Sequence, residues 1–435
     1  MAIVFVLVAL LVLAVIVTAN WYVWRRLFRD TTRGPGPARR AGAVVIAGGW
    51  VLAITALVAE RSGAPFWLQQ VLAWPGFLWL ALSIYLLLAV LAGEVVRPLL
   101  RRFLERRDRA GEQGPEAAAV TPAASPPEKV TVPGRAPSTV AADPEPAPAS
   151  GPAADAGGPS GPSRRLFVSR VVGGAAAAAA VGTVGYGTYG VLRGPQVKRV
   201  TVPLAKLPRG AHGYRIAVVS DVHLGPVLGR GFAQKVVDTI NATQPDLIAV
   251  VGDLVDGSVK DLGPAAAPLA QLRARHGSYF VTGNHEYFSG AEQWVEEVRR
   301  LGLNPLENAR RELPYFDLAG VNDVAGEEEG QGPDFARALG DRDRARACVL
   351  LAHQPVQIHD AVDHGVDLQL SGHTHGGQLW PGNLLASAAN PTLAGLERYG
   401  DTQLYVSRGA GAWGPPTRVG APSDITVIEL ASRQA

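Results

Sequence analysis

The sequence predicts an α/β domain that follows membrane-spanning helices and a polar linker. Three observations lead to this fold class. Long apolar runs fill most of the first hundred residues, a stretch rich in Pro, Ala, Gly and Ser comes next, and short apolar runs then alternate with helical stretches. With 435 residues, the chain is long enough for two or more units. We divide it into residues 1–104, 105–162, 163–194 and 195–435.

Residues 1–104 contain three apolar runs, which predict three transmembrane helices. The run from Ile3 to Trp24 is roughly 20 residues long, the length that crosses a bilayer as a helix. A cleaved signal peptide is the alternative, but no basic region precedes this run, and an arginine-rich segment follows it instead of a cleavage site. Two further runs cover about 43–59 and 71–96. The first unit is therefore predicted to cross the membrane several times.

Residues 105–162 and 163–194 differ sharply in composition. The first of these segments has too few large apolar residues to offset the entropy of ordering, so we predict a disordered linker. The second is rich in Ala and Gly and opens with Ser163, Arg164 and Arg165, followed by Leu and Phe, which resembles a twin-arginine export signal. An ordinary arginine flank on a fourth membrane helix is the alternative. Both interpretations predict that residues 163–194 cross the membrane.

The distribution of arginine predicts the orientation in the cell membrane. Loops rich in Lys and Arg stay in the cytoplasm. Six arginines follow the first apolar run and six follow the third, whereas the short segment between the second and third holds only Arg61. Four crossings then place both termini and residues 195–435 on the extracytoplasmic face.

Charge and cysteine content exclude two other features. The chain has a net charge of +3, but its basic excess flanks the apolar runs, and the last unit contains acidic runs such as "GEEEG". We therefore expect no nucleic acid as a stable partner. The single cysteine, Cys348, lies in an apolar run and is predicted to be a small buried residue, so a disulfide within the chain is impossible.

Polar side chains that can bind a metal follow five predicted strands of the last unit. They are Asp221 and His223 in "SDVHLG", Asp253 in "GDLVDG", Asn284 and His285 in "GNHE", His353 in "LAHQP", and His373 and His375 in "SGHTH". The preceding runs are apolar throughout, as strands buried on both faces of a sheet are. Because the carboxyl ends of such strands open into the ligand crevice of an α/β sheet, these groups should converge. Any one of them alone would usually be a hydrogen-bonding core residue.

The residue types indicate the kind of metal. Carboxylates, imidazoles and an amide oxygen, without thiolate, suit borderline divalent cations such as Mn, Fe or Zn. Even seven of these eight candidates are too many for one tetrahedral site, and a shared carboxylate would make them enough for two metal ions roughly 3.5–4 Å apart. Gly372, Gly376 and Gly377 around the last two histidines allow tight turns and leave room for a phosphate.

The five motifs in this order resemble those of the calcineurin-like metallophosphoesterases, in particular a bacterial group whose catalytic domain follows membrane helices or a twin-arginine signal. The resemblance covers about residues 214–430. It implies a four-layer α-β-β-α sandwich, in which two packed sheets are covered by helices, and a metal-dependent hydrolase of phosphoric ester bonds.

The same resemblance implies a role for each candidate residue. One metal would be held by Asp221, His223 and His375, the other by Asn284, His353 and His373, and Asp253 would bridge them. His285 would be a catalytic acid beside the scissile phosphate, with Glu286 orienting it. In "VSRGAGAWGPPTRVG", Arg408 and Arg418 are candidates for substrate phosphate contacts, with pairing to a local carboxylate as the alternative. The following "APSD" departs from the Pro-Pro-Glu of that group.

The expected reaction is hydrolysis of a phosphodiester or pyrophosphate. Two cations would lower the pKa of a bridging water and neutralise phosphate charge, and His285 would protonate the leaving oxygen. The membrane tether favours a lipid-linked or envelope substrate. The alternatives are a phosphomonoesterase or protein phosphatase, a two-metal peptidase or amidase, and a metal-binding sensor without catalysis.

Overall fold

The computed structural model describes residues 2–112 and 164–434. Its N-terminal part contains four long helices, α1 (Ala2–Trp24), α2 (Pro37–Arg61), α3 (Phe66–Glu112) and α4 (Arg164–Leu192). Each is long and apolar enough to span a membrane, as predicted. Helix α3 continues through residues 105–112, the start of the predicted linker, and the rest of the linker and Ser163 lie outside the described residues.

Helices α2, α3 and α4 pack side by side through small residues, and we call α1–α4 the helical bundle. The buried face of α2 includes Ala53, Ala56 and Ala59, and Ala81 of α3 is fully buried. Small side chains let helix backbones approach closely, which is the usual basis of helix association in membranes. Most large apolar side chains of α1 instead point outward, where lipid would surround them.

Residues 196–434 form an α/β domain with two six-stranded sheets. The strands of the first sheet, in spatial order, are β1 (Gln196–Leu204), β12 (Asp424–Ser432), β2 (Tyr214–Val219), β3 (Leu247–Val251), β4 (Ser278–Val281) and β5 (Asn304–Pro305). Those of the second sheet are β10 (Gly395–Tyr399), β11 (Thr402–Val406), β9 (Leu368–Ser371), β8 (Cys348–Leu351), β7 (Asp317–Gly320) and β6 (Ala309–Glu312). Strands β2, β3 and β4 are parallel, and so are β7, β8 and β9.

The two sheets pack face to face, and helices cover their outer faces. Alternation along β2 shows the arrangement, because Ile216 and Val218 lie in the core between the sheets while Ala217 and Val219 face the outer helices. The helices on the first sheet are α5 (Arg230–Ala242), α6 (Val259–Ala266), α7 (Asn284–Ser289) and α8 (Ala291–Arg300), and those on the second are α9 (Phe335–Leu339) and α10 (Ile358–Asp363). The predicted four-layer α-β-β-α sandwich is confirmed.

The helical bundle contacts the α/β domain directly. The last turns of α4 pack on the loop before β12, where Thr188 and Thr417 share a hydrogen bond of 2.7 Å. At Gly187 a Cβ atom would meet the Arg418 carbonyl oxygen at 2.7 Å, so only glycine permits this close approach. The remaining helix, α11 (Gly382–Ala389), lies in the loop between β9 and β10.

Candidate metal centre

Three of the predicted ligands, Asp221, His223 and His375, converge at the carboxyl ends of β2 and β9, and we call them the first ligand group. Their candidate ligand atoms all lie within 4.8 Å of one another. The Nε2 atoms of His223 and His375 are 3.0 Å apart, and His375 Nε2 is 3.4 Å from Asp221 Oδ1. All three residues are buried. Two imidazoles that face each other this closely next to a carboxylate can share one cation.

The second ligand group consists of Asp253, Asn284, His353 and His373, which follow β3, β4, β8 and β9. His353 Nε2 lies 3.1 Å from Asp253 Oδ2, and His373 Nδ1 lies 3.0 Å from Asn284 Oδ1. Asp253 Oδ2 is also 3.8 Å from His223 Nε2 of the first ligand group. The carboxylate of Asp253 therefore lies between the two groups, as a bridging ligand would.

The backbone and the unsatisfied donors of these residues fit two bound metal ions. Positive φ angles, rare outside glycine, occur at Asp221 (52°), His223 (48°), Asp253 (52°), His373 (71°) and His375 (52°). Such strain persists where a functional site requires it. Within the described residues the buried Nε2 atom of His353 has no hydrogen bond, although Asp253 is close, which suits a metal ligand. The chain thus holds residues able to bind metal, with nitrogen and oxygen donors that suit Mn, Fe or Zn.

A close backbone contact brings the two sheets together at this site. Gly372 lies against Ser220 and Asp221, and a Cβ atom there would overlap both side chains. The backbone N–H of His373 then donates to Asp221 Oδ1 over 3.0 Å. The "SGHTH" glycine therefore matters mainly because it lets β9 of one sheet approach β2 of the other.

Asp256 is a site residue that the sequence interpretation missed. Its Oδ1 atom lies 2.8 Å from His223 Nδ1 and 2.7 Å from His285 Nδ1, so one carboxylate orients a candidate ligand and the candidate acid. Burial opposes its ionisation, but the two imidazoles dominate and lower the pKa of Asp256 to about 2. Burial likewise disfavours charge on His285, but the bond to Asp256 outweighs it and raises the pKa of His285 to about 9. In the sequence, the position of Asp256 as the second aspartate of "GDLVDG" could have indicated that it belongs to the site.

Glu286 occupies a different position from the expected one beside the His285 ring. Its Oε2 atom accepts the backbone N–H of Asp253 at 2.9 Å and of Gly283 at 2.6 Å, and its Oε1 atom accepts that of Leu254 at 2.7 Å. Helix α7 begins at Asn284, which turns Glu286 inward towards the loop after β3. Burial raises the pKa of Glu286 to about 7. The orientation of His285 comes from Asp256 instead.

The two candidate substrate arginines have different surroundings. Arg418 is buried behind His375, where its Nη1 atom donates to the His375 carbonyl at 2.9 Å and its Nη2 atom lies 3.1 Å from His375 Nδ1. Its Nε atom donates to the Gly411 carbonyl at 2.6 Å. Arg408 is half-buried and lines a cavity of 240 Å³ that also borders Gly376 and Trp380. The guanidinium of Arg418 is therefore engaged by His375 and by main-chain carbonyls, whereas Arg408 lines the cavity beside Gly376.

Residues that the sequence did not single out as site residues surround His285. The rings of Phe288 and Trp413, both exposed, have centroids 5.6 Å and 5.7 Å from that of His285. Glu60, in the last turn of α2, is close enough to interact electrostatically with His285 and Asp256. The end of α2 thus lies near the candidate site, which the sequence did not indicate.

Comparison with known proteins agrees with this geometry. The family model for calcineurin-like phosphoesterases matches residues 214–377. A "transmembrane protein with metallophosphoesterase domain" from Danio rerio is 38% identical in an alignment of 259 positions that covers 56% of this chain and 59% of the relative. A metallophosphoesterase from Aquifex aeolicus is 33% identical over 243 residues, 55% of this chain and 92% of the relative. The chain belongs to the calcineurin-like metallophosphoesterases.

Within this family, the relatives include proteins named for a transmembrane part as well as the metallophosphoesterase domain. The aligned part is less than two thirds of the Danio rerio relative. Among solved structures, one titled "GAP50 the anchor in the inner membrane complex of Plasmodium" is 12% identical, with a TM-score of 0.29, and covers 49% of this chain and 79% of its own.

Proposed function

We propose that this protein is a membrane-anchored hydrolase that uses two divalent metal ions to cleave a phosphodiester or pyrophosphate bond. The observation that carries the proposal is the pair of ligand groups with Asp253 between them, next to an imidazole held by Asp256. When bound, two divalent ions supply an activated water and neutralise charge on the phosphate oxygens.

The surrounding side chains have complementary roles in this proposal. His285, kept protonated by Asp256, donates a proton to the leaving oxygen, which is general acid catalysis. Arg418 positions His375 rather than contacting substrate, because its donors point to His375 and to main-chain carbonyls. Arg408 faces the neighbouring cavity and binds a charged part of the substrate.

The position of the site favours a substrate from the membrane or cell envelope. Glu60 of α2 interacts electrostatically with the candidate acid, and Thr188 of α4 bonds to the loop that carries Arg418. A phosphoester in a lipid-linked molecule would meet the site without leaving the membrane surface.

The full chain, purified in detergent and stripped of metal, tests the reaction. We expect hydrolysis of bis(nitrophenyl) phosphate only after Mn²⁺ is restored, with less activity on nitrophenyl phosphate. A preference for the monoester would indicate a phosphatase. Metal binding without turnover of either ester would contradict the proposed catalysis and indicate a sensor.

We also propose four membrane crossings with the α/β domain outside the cytoplasm. Polar contacts link the helices at the end of the bundle that lies away from the α/β domain. There Arg26 bonds Asp30 at 2.9 Å and Glu94 at 2.7 Å, and Arg170 donates to the Thr31 carbonyl. That end carries the arginine-rich loops, which are retained in the cytoplasm.

Protease added to spheroplasts should digest a C-terminal tag if this orientation is right. A tag that stays protected until lysis would place the α/β domain in the cytoplasm. Replacing both Arg164 and Arg165 by Lys would abolish export by the twin-arginine route and leave an ordinary membrane helix unaffected.

A further inference from the structure

Helix α11 and its flanking loop expose apolar side chains to an unusual degree for a soluble domain. None of the residues in α11 is buried, and Trp380, Leu384 and Leu385 are 52%, 64% and 79% exposed. Residues 379–396 contain no Asp, Glu, Lys, Arg or His. A contiguous exposed apolar surface of this kind marks a protein or membrane contact.

The position of this loop favours the membrane. Tyr85, in the middle of α3, donates a hydrogen bond of 2.9 Å to the Trp380 carbonyl, and Leu379 packs into the bundle core around Ala180 and Val184. Ala180 precedes the end of α4 at Leu192 by twelve residues, or about 18 Å along the helix axis. The loop therefore lies beside the part of the bundle that spans the bilayer.

Two cavities lie between this surface and the candidate metal centre. The 240 Å³ cavity beside Trp380 and Asn383 also borders Arg408 and Gly376, the residue after His375. It shares Val419 and Gly420 with a groove of 470 Å³, which runs along the outward face of α4 past Ala179, Gly182, Thr183 and Tyr186. The two cavities thus adjoin the same two residues, Val419 and Gly420, and lie between the outward face of α4 and Gly376, the neighbour of His375 in the first ligand group.

The buried Oδ1 atom of Asn383 has no hydrogen bond to the protein within the described residues. It belongs to a residue that lines the smaller cavity together with Arg408, so this cavity offers polar groups next to its apolar wall. The larger groove is mostly apolar apart from Arg418, Thr183 and Tyr186. This polarity gradient matches a lipid with its headgroup near Arg408 and its hydrocarbon along α4.

We propose that Trp380 and α11 insert into the bilayer and that the two cavities receive a membrane phospholipid, whose phosphodiester then reaches the metal centre. The insertion follows from exposure, lack of charge and continuity with the membrane-spanning bundle. The identity of the substrate class also rests on the proposed hydrolase function, so insertion and substrate delivery are tested separately.

Fluorescence tests the insertion without reference to activity. Cys348 is buried, so a cysteine at Leu385 can be labelled selectively with an environment-sensitive NBD dye in the full chain. In phosphatidylcholine proteoliposomes we expect blue-shifted emission that doxyl-labelled phosphatidylcholine quenches. The exposed Asp341, replaced by Cys, should give water-like, unquenched emission.

Water-like emission at position 385 would overturn the insertion. Blue-shifted emission that doxyl lipids fail to quench would overturn it as well, because it would show that another protein, such as a second copy of the chain, covers the helix.

Kinetics test the delivery of lipid. Leu385→Glu should raise the KM for dioleoyl phosphatidylglycerol in vesicles about tenfold or more, because a carboxylate at this depth is costly to bury. Its kcat/KM for bis(nitrophenyl) phosphate should stay unchanged, and Leu385→Met should behave like the native protein on both substrates.

The outcomes separate the two proposals. Equal losses on both esters in Leu385→Glu would contradict lipid delivery through α11. If the native protein cleaves the soluble diester but no vesicle lipid, lipid delivery fails while the hydrolase function stands. If it cleaves neither with Mn²⁺, the hydrolase function fails, and the fluorescence result still decides insertion.

Discussion

The first and second ligand groups of the metal centre are held in place by different means. In the first group, charged side chains from distant segments orient the imidazoles, because Asp256 bonds His223 and Arg418 contacts His375. In the second group the supporting hydrogen bonds involve the main chain. His353 Nδ1 lies 2.8 Å from the Val251 carbonyl, and the Glu286 carboxylate accepts the backbone N–H groups of Asp253 and Leu254.

The difference indicates which residues can be changed without loss of the fold. Side-chain supports such as Asp256 can be replaced with an effect on one ligand group and on His285. The Val251 carbonyl that supports His353 belongs to β3, so no side-chain substitution removes it, whereas Glu286 supports Asp253 through its side chain and can be replaced. Outer partners of this kind typically alter metal affinity by about 10- to 100-fold.

Asp253 is shared by the two groups, so its replacement should erase the difference between them. We expect Asp253→Ala to lower metal-dependent diester hydrolysis by about 10⁴-fold, since metal-based stabilisation of several kcal/mol is lost. Circular dichroism should show the native fold. The exposed carboxylate of Asp341 provides the control, and Asp341→Ala should keep native turnover. Activity within tenfold of native in Asp253→Ala would refute the bridging role.

His285 lies outside both ligand groups, and the decrease in turnover when it is replaced should depend on the leaving group. We expect His285→Ala to slow esters with poor leaving groups by about 10²- to 10³-fold and nitrophenyl esters far less, because good leaving groups need little protonation. Turnover of a series of aryl phosphodiesters measures this. A uniform loss across the series would assign His285 to binding or metal positioning.

Asp256→Asn should separate the two groups most clearly. Loss of the carboxylate removes the partner of His223, so we expect about 10- to 100-fold weaker binding of one metal ion and unchanged binding of the other. Titration calorimetry with Mn²⁺ resolves the two sites. Equal weakening of both ions would show that the groups are not independently supported.

Arg418→Lys should give a smaller effect of the same kind, because lysine keeps the charge and loses the fork that reaches His375 and Gly411. We expect weaker binding of the first metal ion by about tenfold. Arg408→Lys is the matched control, since it lies away from the imidazole and should leave both metal affinities unchanged. Identical metal affinities in the two variants would show that Arg418 does not support His375.

The smallest effect is expected at Cys348, which begins β8 on the way to His353 of the second ligand group. Burial raises the pKa of the Cys348 thiol to about 12, so the reactive thiolate is scarce at neutral pH. Maleimide should leave the native protein unmodified and label it fully in guanidinium, as mass spectrometry can show. Rapid native labelling would mean that this strand opens readily.

Local sequence patterns indicated the candidate ligands because most of them lie a few residues after the end of a strand. Asp221 follows β2 and His353 follows β8 after one intervening residue each, so an apolar run followed by a polar residue was a sufficient signal. Asp256 gave a weaker signal, since it lies in a loop and its role depends on two histidines from other segments. Glu286 was predicted to orient His285, but its carboxylate accepts backbone N–H groups of Asp253 and Leu254 instead, because the start of α7 sets the direction of its side chain.

The sequence by itself determined the four apolar helices, the strands and the order of the ligand motifs, since these depend on hydrophobic periodicity and on the neighbours of each residue along the chain. Only the tertiary structure decided that Asp256 joins His223 to His285, that Arg418 supports His375, and that Glu60 and α11 lie where the bundle meets the site. These features depend on contacts between residues up to hundreds of positions apart. Such contacts form only when the two sheets and the helical bundle pack against each other.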